Sequence, residues 1–87
     1  MLRNDHNKSL KNIGRKIGEL RAKKGLTQNK LAEKTNLSLI WLQQIEAGQE
    51  PSLKTLIEIS NILDCDLIEL FKKPSSSPPP RGRPSKK

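Results

Sequence analysis

Apolar residues recur along this chain at helical spacing, and no stretch alternates apolar with polar long enough to make a strand. Leu10, Ile13, Ile17 and Leu20 follow the i, i+3, i+4 rule, which predicts a first helix over 9–24. Lys11, Arg15, Lys16, Lys23 and Lys24 fall off its apolar face, and Gly25 is placed to end it in left-handed geometry. Thr27 is an N-cap for a second helix with Leu31 and Ala32 inward, and Asn36, which tolerates positive φ, turns the chain. Ser38 caps a third helix, Leu39 to Ala47, which stops at Gly48. Pro51 and Ser52 open a fourth, with a wide stripe of Leu53, Leu56, Ile57, Ile59, Ile62 and Leu63. Asp66 and Glu69 have the spacing of a capping box for a short fifth helix ending near Phe71.

The expected fold is therefore all-α: five short helices over residues 9–73, after a flexible N-terminus at 1–8. Residues 74–87 are a different material, with five prolines, four serines and no aliphatic side chain. Such a segment cannot bury enough surface to offset its chain entropy, so a disordered tail is expected there.

Composition narrows the function. Eighty-seven residues make one small domain, and with only 2% aromatic residues its core must be aliphatic. The formal net charge of +8 calls for a polyanionic partner. That charge is uneven. Residues 1–26 hold eight Lys/Arg and two acids, residues 27–71 three Lys and seven acids, and residues 72–87 six Lys/Arg and no acid. No apolar run approaches the roughly 18 residues of a spanning helix, and the N-terminus lacks the apolar stretch of a secretory signal. One cysteine, Cys65, and one histidine, His6, offer neither an internal disulfide nor a zinc-ligand set, and a reduced cytoplasm is the expected setting. No nucleophile, base and orienter come together, so no enzyme, cofactor, metal or small-molecule ligand is expected. A membrane-surface role for the basic first helix is disfavoured, because its apolar stripe is needed in the core.

Two short helices joined by about four residues, the second opening on a capped Ser, describe a helix-turn-helix. The stretch from Leu20 to Phe71 resembles the DNA-binding domain of the lambda-repressor-like, Cro/repressor-type helix-turn-helix family. The resemblance is carried by Leu20-Arg21, Gly25, Thr27-Gln28, Leu31-Ala32, Ser38, Leu42, Ile45-Glu46, Gly48, Pro51-Ser52, Leu56 and Leu67–Leu70. It implies double-stranded DNA as partner, a phosphate contact by Gln28, and an ion pair between Arg21 and Glu46 tying the first helix to the third.

The residues themselves support that assignment. Leu42 and Ile45 give the third helix an inward face, leaving positions 39, 40, 43 and 44 to face a major groove about 12 Å wide. Ser38, Leu39, Ile40, Gln43 and Gln44 are the candidate base contacts, and Gln44 is favoured for adenine because its amide can both donate and accept. Gln28 and Asn29 lie in the first turn of the second helix, where free backbone N–H groups also point at a phosphate.

The tip of the third helix departs from the family. Leu39 and Ile40 stand where polar residues are usual, and neither reads a donor or acceptor pattern. Two explanations stand: they pack on thymine methyl groups and bias the site to A·T pairs, or they form a protein-binding patch. For Trp41, packing against the second helix is the favoured reading, and a phosphate contact through its indole N–H is the other candidate role.

Leu67, Ile68, Leu70 and Phe71 exceed what one inward face requires; some cover the fourth helix, and the remainder, with the family habit, suggests a homodimer. In the tail, Arg81, Gly82, Arg83 and Pro84 resemble an AT-hook, in which glycine lies on the minor-groove floor while arginines extend along it. Residues 74–80, extended at about 3.1 Å each, span roughly 22 Å, enough to reach a neighbouring minor groove. The sequence thus points to a transcriptional regulator that reads both grooves. An architectural, weakly specific DNA binder and an antitoxin or adaptor with a protein partner are the alternatives.

Overall fold

The computed structural model describes residues 4–74, and among them are four α-helices and one 3-10 helix. The helices are α1 (His6–Lys23), α2 (Gln28–Thr35), α3 (Leu39–Glu46) and α4 (Leu53–Ile62), and the 3-10 helix runs Leu67–Phe71. No strand occurs among the described residues. The expected disordered tail falls almost wholly outside them.

Each α-helix begins and ends in one way. Asp5, Thr27, Ser38 and Ser52 sit in extended geometry, and their side-chain oxygens accept from the backbone N–H of Lys8, Lys30, Trp41 and Thr55. Each helix is closed by a residue at positive φ: Gly25, Asn36, Gly48 and Asp64. After that residue a backbone N–H reaches back five positions, Leu26 to Arg21, Leu37 to Ala32, Gln49 to Gln44 and Cys65 to Ser60. This double-bonded closure satisfies carbonyls that would otherwise be orphaned, which is how so short a chain ends four helices cleanly.

Two boundaries differ from the sequence expectation. Helix α1 starts at His6 rather than 9, because Asp5 caps it ahead of the apolar stripe, so residues 6–8 are helical. The fifth element is a 3-10 helix, not an α-helix, and Asp66 makes no side-chain capping bond. Glu69 is instead held by Lys72 Nζ at 2.8 Å, so the reciprocal capping box does not form. Lys72 is already extended and Pro74 follows, which leaves no room for a second α-turn.

The core is aliphatic throughout: Ile17, Leu31, Ala32, Leu42, Ile45, Leu56, Ile59, Leu63 and Leu70. Burying each large side chain contributes about 1.5–3 kcal/mol before chain entropy is counted. Only part of the α4 stripe is used inward, since Leu53 and Ile57 face outward. Helix α1 crosses the end of α3 at close range. A Cβ added to Gly14 would lie 2.5 Å from the Ile45 carbonyl oxygen and 2.6 Å from that of Glu46. Only a glycine permits that approach, and it brings Arg21 within reach of Glu46.

Candidate nucleic-acid interface

The turn between α2 and α3 is three residues, Asn36-Leu37-Ser38. Asn36 at φ 60° reverses the chain, Leu37 tucks against the core, and Ser38 caps α3. Leu42 and Ile45 are buried, which turns positions 39, 40, 43 and 44 outward, and all four are exposed. The outward face expected from the sequence is therefore present. Ser38 is exposed as well, though its Oγ accepts from the Trp41 N–H at 3.0 Å.

Behind this face lies a hydrogen-bonded brace. Arg21 Nε donates to Glu46 Oε2 at 2.8 Å, and Nη2 donates to Oε1 at 3.2 Å. The third guanidinium nitrogen, Nη1, donates to the Leu26 carbonyl at 2.8 Å, so Arg21 also pins the α1–α2 corner. The two charged side chains are only 19% and 11% exposed. A fork-shaped, part-buried pair of this kind fixes direction as well as distance. It matches the ion pair the resemblance implied.

Gln28 extends the brace in a way the sequence did not indicate. Its Nε2 donates to Glu46 Oε1 at 3.1 Å, and its Oε1 accepts from Gln43 Nε2 at 3.4 Å. One amide thus links the structural ion pair to a side chain on the outward face. Asn29, next to it, is exposed and free to meet solvent or ligand. Trp41 is half-buried and packs against the core. Gln28 and Gln43 are the residues whose joint placement sequence reasoning missed, because a contact fifteen positions apart leaves no local periodicity.

The tip is apolar in three dimensions as well as in sequence. Leu39 is 37% exposed and Ile40 68% exposed, both in the first turn of α3. Lys11, Lys23, Lys24, Lys30, Lys34 and Lys54 are exposed around the molecule. Further apolar side chains, Ile68 and Phe71 on the 3-10 helix with Leu53 and Ile57 on α4, also face solvent. Leu70 is fully buried and Leu67 packs on the core.

Among the described residues, no group of three or more His, Cys, Asp or Glu could hold a metal ion, and no helix is long and apolar enough to cross a membrane. Burial, then the carboxylates of Glu69, Asp66 and Asp64, push the Cys65 thiol above its ordinary value, opposite to an activated nucleophile. Arg81, Gly82, Arg83 and Pro84 lie outside the described residues.

Comparison with known proteins agrees with this geometry. The chain is 44% identical over 61 residues to the uncharacterized HTH-type transcriptional regulator YqaE of Bacillus subtilis, covering 69% of this chain and 53% of that protein. It thus spans about half the length of that relative. Among solved structures it resembles the restriction-modification controller protein C.AhdI from Aeromonas hydrophila, with TM-score 0.69 and 33% identity over 71% of this chain and 96% of that one. It also resembles SinR, a master regulator for biofilm formation solved in complex with DNA, with TM-score 0.66 and 32% identity over 69% and 98%. The helix-turn-helix family HTH_3 matches residues 17–70, well over half the chain and the whole α2–α3 unit with its brace, and the chain belongs to that family.

Proposed function

We propose that this protein is a sequence-specific DNA-binding transcription regulator that lays α3 in the major groove. The observation that carries this reading is the pairing of a rigidly braced α3 with an outward face left unoccupied by the fold. Ser38, Leu39, Ile40, Gln43 and Gln44 meet base edges, and Gln44 reads adenine. Asn29, the Trp41 indole N–H and the α2 N-terminus meet phosphates, and Gln28 joins them with its remaining amide hydrogen. Leu39 and Ile40 pack on thymine methyls and favour A·T-rich sites.

In this reading two copies bind related half-sites about one helical turn apart, in the cytoplasm, on chromosomal DNA. Ile68 and Phe71 supply apolar surface suited to the dimer contact. The tail adds Arg81, Gly82, Arg83 and Pro84 as a minor-groove A·T contact, and its tether makes that binding intramolecular.

The test is enrichment of the full chain's preferred duplex from random sequence, followed by competition against bulk DNA. Enrichment of a defined site supports the reading, and absence of enrichment overturns it. Arg81→Ala with Arg83→Ala in the full chain tests the tail. Affinity should fall mainly for sites flanked by A·T runs. Equal loss on G·C-flanked sites would make the tail a polycation only.

The exposure of Ile40 favours one second reading, an adaptor or antitoxin whose protein partner covers the tip. In that case Leu39→Ser with Ile40→Ser abolishes partner binding and leaves DNA binding unchanged.

A further inference from the structure

Several polar groups at the start of α3 also serve the fold. Ser38 Oγ takes the Trp41 N–H, Trp41 packs against the core, and the Gln43 amide leans to Gln28. Gln44 has no side-chain hydrogen bond among the described residues. The apolar surface that this first turn offers a groove is Leu39 and Ile40, with the Gln44 amide one turn further on.

In the major groove the only apolar group on a base edge is a methyl at pyrimidine C5. Thymine carries it always, and cytosine carries it once methylated. An aliphatic side chain cannot distinguish one C5 methyl from the other, because it senses only the area withdrawn from water.

We propose that the first turn of α3 is a methyl reader: Leu39 and Ile40 recognise the C5 methyl of major-groove pyrimidines, so that 5-methylcytosine as well as thymine is a ligand of this site. The proposal rests on the DNA-binding reading above and adds its ligand chemistry. The bound state of the protein's sites then responds to cytosine methylation. Discrimination between a T·A and a methylated C·G pair falls to Gln44, whose amide sees the differing donors and acceptors. The occupant is a duplex rather than a protein, because the face lies on a helix-turn-helix in a chain of net charge +8.

The experiment uses the full chain and the duplex it enriches from random sequence. At each thymine whose replacement weakens binding, four duplexes are titrated: thymine, uracil, cytosine and 5-methylcytosine, the last two with guanine opposite. Burial of one methyl-sized group corresponds to roughly fourfold in affinity. Uracil should bind roughly fourfold more weakly than thymine, and 5-methylcytosine roughly fourfold more tightly than cytosine, at one or more positions. Leu39→Ser with Ile40→Ser should erase both differences. Both side chains are exposed, so the fold should persist, and an unchanged circular-dichroism melting curve checks it.

Methyl-indifferent binding at every position, with sequence preference retained, overturns the inference and leaves the DNA-binding reading intact. Failure to enrich any duplex overturns both. A change in sedimentation mass on Leu39→Ser/Ile40→Ser, with methyl differences absent, makes the tip a contact between copies and also overturns it.

Discussion

Arg21 on α1 and Glu46 at the end of α3 form a forked ion pair, Nε to Oε2 at 2.8 Å and Nη2 to Oε1 at 3.2 Å. The pair sets the angle at which the outward face of α3 is presented, because it joins the helix that carries the face to the longest helix of the fold. Removing either partner leaves the other charge part-buried and unpaired. Arg21→Ala should cost about 2–3 kcal/mol, somewhat below a fully buried pair because the site retains some solvent access. Glu46→Ala should cost a similar amount and also release Gln28. The double change Arg21→Met with Glu46→Leu should cost less than either single change. Urea unfolding at unchanged slope measures all three.

Gly14 and Gly18 lie one turn apart on α1 yet should respond differently to alanine. At Gly14 the new methyl meets the backbone oxygens of Ile45 and Glu46 at 2.5 and 2.6 Å, and backbone cannot step aside. Gly14→Ala should therefore destabilise by about 1–3 kcal/mol or more. At Gly18 the nearest atom is Glu46 Oε1 at 3.1 Å, on a side chain that can give. The helix-propensity gain of about 0.5–1 kcal/mol should nearly offset that crowding, leaving Gly18→Ala close to neutral. Thermal melting of the two variants checks the order.

Asp64 closes α4 at φ 57°, a conformation that costs a non-glycine residue about 1 kcal/mol. Asp64 is exposed, and its side chain makes no hydrogen bond among the described residues. Asp64→Gly should accordingly raise stability by up to about 1 kcal/mol, and Asp64→Val should lower it. The midpoints of urea unfolding decide.

Cys65 should alkylate slowly at neutral pH. Burial and three neighbouring carboxylates hold its thiol protonated to a higher pH than a free cysteine. The rate of iodoacetamide reaction should therefore rise at higher pH than for a free thiol. A midpoint below the ordinary thiol value would contradict the electrostatics described for this corner of the fold.

Most of the fold was legible because it is written locally. The apolar spacing of Leu31 with Ala32 and of Leu42 with Ile45 gave the inward faces, and Thr27, Ser38, Gly25, Asn36 and Gly48 gave the ends. The start of α1 was not legible, since His6 to Ser9 carry no apolar residue to set a phase. Nor was the 3-10 helix, whose hydrogen-bond pattern differs from an α-turn only in backbone detail. At the candidate site the ion pair came from the resemblance. The link from Glu46 through Gln28 to Gln43, and the glycine contact that permits it, are tertiary facts with no signature in spacing.

The central question is whether α3 reads sequence in a duplex. The decisive measurement is the affinity of the full chain for its enriched site relative to bulk DNA at fixed salt, repeated with Gln44→Ala. A ratio of at least about 10³ is expected for specific binding. Gln44→Ala should reduce it by about 1–3 kcal/mol of discrimination without changing stability. Equal affinity for every duplex, or a ratio unmoved by Gln44→Ala and by Leu39→Ser/Ile40→Ser alike, would contradict the account.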